Sequence, residues 1–223
     1  MGGSVTSGKL KLGVLISGRG SNLQALIDAC AAPDFPAEIA LVLSNKADAF
    51  GLERAAQAGL PTAVVSHRDH PGDKPGFEAA MDAALRGAGV ELVCLAGFMR
   101  ILSEGFVESW RDKLINIHPS LLPSFKGLDT HARALATGVR FHGCTVHFVR
   151  PEMDDGPIVA QAAVPVLPSD DAHALGDRVL ESEHALYPHA VRLIAEGRAR
   201  VDGDVVRIES GATVLESVIN PPF

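Results

Sequence analysis

The stretch Lys11-Leu12-Gly13-Val14-Leu15-Ile16-Ser17-Gly18-Arg19-Gly20-Ser21-Asn22-Leu23 decides the fold. An apolar run stops at a glycine turn, and Leu23, Leu26 and Ile27 then recur at helical spacing. This is strand, turn, helix, with Ser21 or Asn22 placed to cap the helix start. The unit repeats downstream. Ile39–Leu43 reads as a second buried strand, Ala49–Ala58 as a helix closed by Gly59, and Thr62–Val65 as a third strand. Phe77, Met81, Ala84 and Leu85 mark a helix, followed by strands at Leu92–Ala96 and Leu114–Ile117. Short apolar strands alternating with helices predict a mostly parallel, twisted α/β sheet covered on both faces.

Beyond residue 118 the texture changes. Pro119, Pro123 and Gly127 make a long connection to a helix at Thr130–Thr137. Strands at Cys144–Val149 and Ile158–Val166 flank a loop from Arg150 to Pro157. A long helix at Ala172–Glu196 and a hairpin around Asp202-Gly203 complete the pattern. The expected organisation is a flexible N-terminus over 1–9, one domain over 10–209 and a tail over 210–223. Within that domain, a Rossmann-like mononucleotide-binding half precedes a mixed-sheet half.

The chain has 223 residues, 47% of them hydrophobic, enough apolar surface to offset the entropy of ordering. Twenty basic against 27 acidic residues argue against a general nucleic-acid binder. They leave room for a small anionic substrate in a locally favourable pocket. Runs such as Leu92–Ala96 fall far short of the ~20 apolar residues of a spanning helix. Cys30, Cys94 and Cys144 share no close spacing, and Met1–Leu10 lacks the apolar segment of a secretory signal. Reduced thiols and a cytoplasmic location are expected, without nucleic acid or membrane as partner.

A glycine turn between strand and helix is where such sheets bind phosphate, because helix N-terminal N–H groups and the dipole face the anion. A tight turn without ligand is the plainer alternative. Leu23 occupies the third glycine position of a dinucleotide fingerprint, and Gly-Lys-Ser/Thr is absent, so a monophosphate fits better. In Asn116-Ile117-His118-Pro119, strand alternation projects Asn116 and His118 from one face. At the carboxyl edge of a parallel sheet, an amide and an imidazole can stabilise an oxyanion and move a proton. Both could instead be satisfied by loop backbone. Asp154, in Asp154-Asp155-Gly156-Pro157, could orient the imidazole and favour its charged form. His147, on an apolar strand, reads as a satisfied core residue. His142 and His147 lack zinc-ligand spacing, and no metal is expected.

Read together, five blocks carry a resemblance. They are Val14–Ala25, Ser44-Asn45-Lys46-Ala47, Leu95–Leu102, Asn116–Pro123, and His147-Phe148-Val149 through Asp154-x-Gly156-Pro157; Glu183-His184 and Tyr187-Pro188 continue them. Over roughly residues 10 to 200 the chain resembles the folate-dependent phosphoribosylglycinamide formyltransferases of purine synthesis. The resemblance implies transfer of a formyl group from 10-formyltetrahydrofolate, as co-substrate, to the amine of glycinamide ribonucleotide. It implies Asn116, His118 and Asp154 as the catalytic trio. Gly20, Ser21, Asn22 and Glu183 would hold the ribonucleotide. Lys74, Met99, Arg100, Ile101, Leu102, Val149, Arg150 and Met153 would border the folate, and the chain would be a monomer or homodimer. Three positions depart from the family pattern. Lys74 stands where Arg is frequent, Asp129 where His is frequent, and Asp155 where Gly is frequent. Relatives that deformylate the folate or formylate an aminoacyl-tRNA share the trio but carry a further domain.

Overall fold

The computed structural model describes residues 8–209 and Asn220. The expectations for 1–9 and 210–223 lie outside the described residues, apart from Gly8, Lys9 and Asn220.

One seven-stranded sheet organises the chain. Its strands are β1 (Leu10–Ile16), β2 (Ala37–Ser44), β3 (Thr62–Val64), β4 (Leu92–Leu95), β5 (Leu114–His118), β6 (Phe141–Phe148) and β7 (Ile158–Pro165). They lie in the order β3-β2-β1-β4-β5-β6-β7. The first five pair in parallel, whereas β5–β6 and β6–β7 pair antiparallel. The expected mostly parallel sheet with a mixed C-terminal half is therefore present. Strands β8 (Ala199–Asp202) and β9 (Val205–Ile208) form the expected hairpin.

Strand alternation sorts the side chains of β1 into two cores. Leu12, Val14 and Ile16 join a cluster with Leu23 and Leu26 of α1 (Ser21–Cys30) and Ala55 of α2 (Phe50–Gln57). On the other face Leu15 packs with Phe77, Met81 and Leu85 of α3 (Lys74–Gly87). It also meets Phe106 and Val107 of α4 (Glu104–Ser109). The first cluster continues through Ala134 of α5 (Thr130–Thr137) and Leu175, Val179 and Tyr187 of α6 (Ala172–Ala195). Helices thus cover both faces. Gly13 is required by this packing: a Cβ there would lie 2.6 Å from Leu85 Cδ2 and 2.9 Å from Val90 Cγ1. No described helix is long and apolar enough to cross a membrane.

Three helix starts are set by features that periodicity does not display, and one of them corrects the expected cap. The helix α4 was not anticipated, because six residues are too few to display a periodicity. Its start is marked instead by Ser103, whose side chain accepts the Phe106 N–H. The helix marked by Phe77, Met81, Ala84 and Leu85 is α3, which begins at Lys74, where Asp73 accepts the Gly76 N–H and Pro75 lies in the first turn. Neither Ser21 nor Asn22 caps α1. Gly20 holds that position at φ 69°, a left-handed conformation glycine adopts without a Cβ penalty, and Ser21 is already helical.

Candidate active site

Because β1, β4 and β5 run parallel, their carboxyl ends open on one edge of the sheet, where folds of this class place ligands. A cavity of about 460 Å³ lies there. Asn116 and His118 from β5 line it, together with Asn22 from α1, Met99 after β4, and Glu183 from α6. Asp129 and His131 close the side contributed by the 119–131 segment. Asn22, just after the glycine turn, thus meets the Asn-x-His segment at one cavity, although the two are far apart in sequence; Gly20 and Ser21 do not line it.

His118 is buried, and both of its ring nitrogens face oxygen. Nε2 lies 3.1 Å from the Phe125 carbonyl, and Nδ1 lies 3.5 Å from Asp154 Oδ2. These two oxygens bracket the imidazole and hold its ring orientation. Asp154 does not line the cavity; it stands behind His118. Its Oδ2 accepts the Gly127 N–H at 2.8 Å, and its backbone is left-handed at φ 52°. A non-glycine residue in that conformation stores strain, which persists only where the surroundings fix it. Two ion pairs flank the same loop. Lys126 pairs with Asp155, and Arg150 Nη2 donates to Asp112 Oδ1 at 2.6 Å.

Asn22 and Glu183 form a second buried pair, with Asn22 Nδ2 donating to Glu183 Oε2 at 2.7 Å. Burial pushes the Glu183 carboxyl up to about 7, partly opposed by that hydrogen bond. Asn22 Oδ1 is buried without a hydrogen-bond partner. The Asn22 amide nitrogen is thus committed to Glu183, which leaves the backbone of Gly20, Ser21 and Asn22 and the Ser21 hydroxyl as the groups of this segment that could address an anion. The N–H groups of the first helical turn have no partner within their own helix, which suits them to that task.

The residues expected to border the folate are more dispersed. Met99 lines the cavity, and Ser17 Oγ accepts its N–H at 2.8 Å. Ser17 in turn donates to Asn45, tying the ends of β1, β2 and the β4 loop together. Arg100 and Ile101 are exposed beside it, whereas Leu102 and Val149 pack partly into the second core cluster. Met153 Sδ approaches Gly127 at the cavity wall. Lys74 pairs with Glu78 at 3.9 Å, and Glu78 accepts from both the backbone and the hydroxyl of Ser103. Arg150 is not brought to the cavity: its guanidinium is held by Asp112 beside a separate surface pocket.

Three groups at the site escaped the reading of the sequence. The Phe125 carbonyl and the Gly127 N–H are backbone groups, which carry no sequence signal. His147 was read as core; it is fully buried, yet its Nε2 lies 3.3 Å from Asn116 Nδ2 and 3.9 Å from Asp154 Oδ1. Residue 147 stands directly opposite Asn116 in the β5–β6 ladder, a placement visible only once the strand register is known. Among the described residues, no group of three or more His, Cys, Asp or Glu side chains could hold a metal ion.

Known proteins share this architecture and sequence. The chain is 51% identical over 199 residues to the trifunctional purine biosynthetic protein adenosine-3 of Gallus gallus. That match covers 89% of this chain but 20% of the relative, and the chain spans a fifth or less of the trifunctional proteins it resembles. Phosphoribosylglycinamide formyltransferase of Haemophilus influenzae is 45% identical over 202 residues, covering 91% of this chain and 95% of that protein. The crystal structure of glycinamide ribonucleotide transformylase 1 from Symbiobacterium toebii superposes with a TM-score of 0.88 at 46% identity. It covers 92% of this chain and 96% of that one. Residues 10–191, most of the chain and all of the cavity-lining segments, match the formyl transferase family. The chain belongs to the formyl transferase family.

Proposed function

We propose that the chain transfers the formyl group of 10-formyltetrahydrofolate to the amine of glycinamide ribonucleotide, as a step of purine synthesis. One observation carries the reading: Asn116 and His118 share a single cavity with Asn22 and Glu183, so a formyl donor and a nucleotide acceptor can meet in it. The near full-length likeness to the Haemophilus influenzae enzyme supports the choice of substrates.

In this reading the ribonucleotide phosphate sits at the α1 N-terminus, against the backbone of Gly20, Ser21 and Asn22. Glu183 accepts from the polar groups of the ribonucleotide. The folate enters past Met99, Arg100, Ile101 and Leu102, with Val149 and Met153 on the opposite wall. Lys74, whose partner Glu78 holds Ser103 next to Leu102, offers a positive charge to the acidic tail of the folate, and Arg150 steadies the 150–157 loop through Asp112.

The amine attacks the formyl carbon, and the carbonyl electrons move to oxygen to give a tetrahedral intermediate. Asn116 donates a hydrogen bond to that oxygen, while His118 adds positive charge beside it. Each such donor is worth about 3 kcal/mol of barrier in a site that excludes water. Asp154 keeps the His118 ring oriented. Nε2 of His118 donates to the Phe125 carbonyl, so the oxyanion competes for this hydrogen. Collapse of the intermediate breaks the bond from carbon to N10, and the proton lost by the amine reaches N10 through water. The chain acts in the cytoplasm as a monomer or homodimer, with small molecules as its partners.

The test is a folate-product absorbance assay with three acceptors. Glycinamide ribonucleotide should support turnover, whereas water alone and aminoacyl-tRNA should not. Equal rates with water would make the chain a hydrolase and overturn the reading.

A further inference from the structure

His147 has no role in the chemistry above, yet it is more deeply buried than His118 and touches two members of the trio. Its two nitrogens have different neighbours. Nδ1 lies 2.9 Å from the Phe148 carbonyl, which can only accept, so Nδ1 carries a proton. Burial holds the ring below the ordinary histidine range despite the nearby Asp154, and the neutral ring then has a bare lone pair on Nε2. The nearest hydrogen-bonding group to that lone pair is Asn116 Nδ2.

We propose that His147 is a positioning residue that fixes the orientation of the Asn116 carboxamide, by offering it an acceptor and no donor. A carboxamide can flip at little cost on its own, because its oxygen and nitrogen have nearly the same shape. Against a bare Nε2 only one orientation makes a hydrogen bond, with Nδ2 toward His147. Asn116 Oδ1, to which no described protein group donates, is left to the cavity with the second hydrogen of Nδ2. One amide then presents a donor for the developing oxyanion and an acceptor for an N–H of the attacking amine. The cross-strand pairing of residues 116 and 147 makes this local and rigid. The consequence for catalysis rests on the formyl transfer proposed above, whereas the protonation pattern of His147 does not.

Two measurements test it. In wild-type protein with 15N-labelled histidine, His147 should show a protonated Nδ1 and an unprotonated Nε2 at neutral pH. A proton on Nε2, in either the other tautomer or the charged ring, overturns the proposal. In kinetics, His147→Phe should lower kcat about tenfold with both KM values within about twofold of wild type. In an Asn116→Ala background the same change should cost less than twofold, because its effect acts through Asn116. Equal losses in both backgrounds would make His147 merely structural and overturn the proposal. Where His147→Phe fails to fold, the tautomer measurement on wild-type protein decides alone.

Discussion

Replacing Glu183 by Gln separates what the buried carboxylate costs from what it does. The unfolded chain ionises this residue near 4.5, while the folded chain holds the proton up to about 7. The carboxyl is raised, so the folded state retains a proton that the unfolded state has already released. Wild-type stability therefore falls as pH rises from 4.5 toward 7 and stays low above it. At about 1.4 kcal/mol per pH unit between the two values, the charge costs the folded state about 3 kcal/mol at pH 8.5. Glutamine keeps the shape and accepts the same Asn22 Nδ2–H bond. Its amide can also donate to Asn22 Oδ1, which has no partner in the wild type. Urea unfolding followed by the fluorescence of Trp110, the sole tryptophan, should find Glu183→Gln more stable by about 3 kcal/mol at pH 8.5. Near pH 4.5 the difference should shrink below about 1 kcal/mol. The functional price is expected in ribonucleotide KM, raised about tenfold, the trade between stability and activity that buried site charges embody. A stability difference independent of pH would refute the reasoning.

Other perturbations probe separate parts of the site and fold. Ser21→Glu places a negative charge at the α1 N-terminus, so ribonucleotide affinity measured by calorimetry should fall at least tenfold while folate binding is retained; unchanged affinity would remove the glycine turn from the phosphate site. Asp154→Asn keeps the hydrogen bond that Gly127 donates but removes the charge beside His118, and kcat should fall by about two orders of magnitude with little change in KM, a loss that steady-state kinetics would reveal. Gly13→Val drives a side chain into Leu85 and Val90, and thermal unfolding should register a loss of about 1 to 3 kcal/mol.

The parts of the fold written in local pattern were legible in the sequence. Leu12, Val14 and Ile16 against Leu15, and Leu23 with Leu26, carry the periods of strand and helix in their own spacing. The same holds for the cavity's two chemical landmarks, since Asn116 and His118 sit two apart on a strand that ends at the ligand edge. What stayed hidden depends on register and on distant partners. Nothing near Asn22 announces that its amide is held by Glu183, 161 residues away. His147 looked like core because its meaning comes from the residue opposite it in the ladder. Nor does anything beside Arg150 announce that Asp112 holds its guanidinium. The substrates came from resemblance, as spacing alone left the glycine turn and the Asn-x-His segment with two readings each.

The most direct measurement is the turnover of His118→Ala with glycinamide ribonucleotide and 10-formyltetrahydrofolate, set beside its ribonucleotide affinity. Loss of a cationic donor at the oxyanion should lower kcat by about 10² to 10³ while the ribonucleotide dissociation constant stays within about threefold of wild type. Wild-type turnover in that variant would contradict the account.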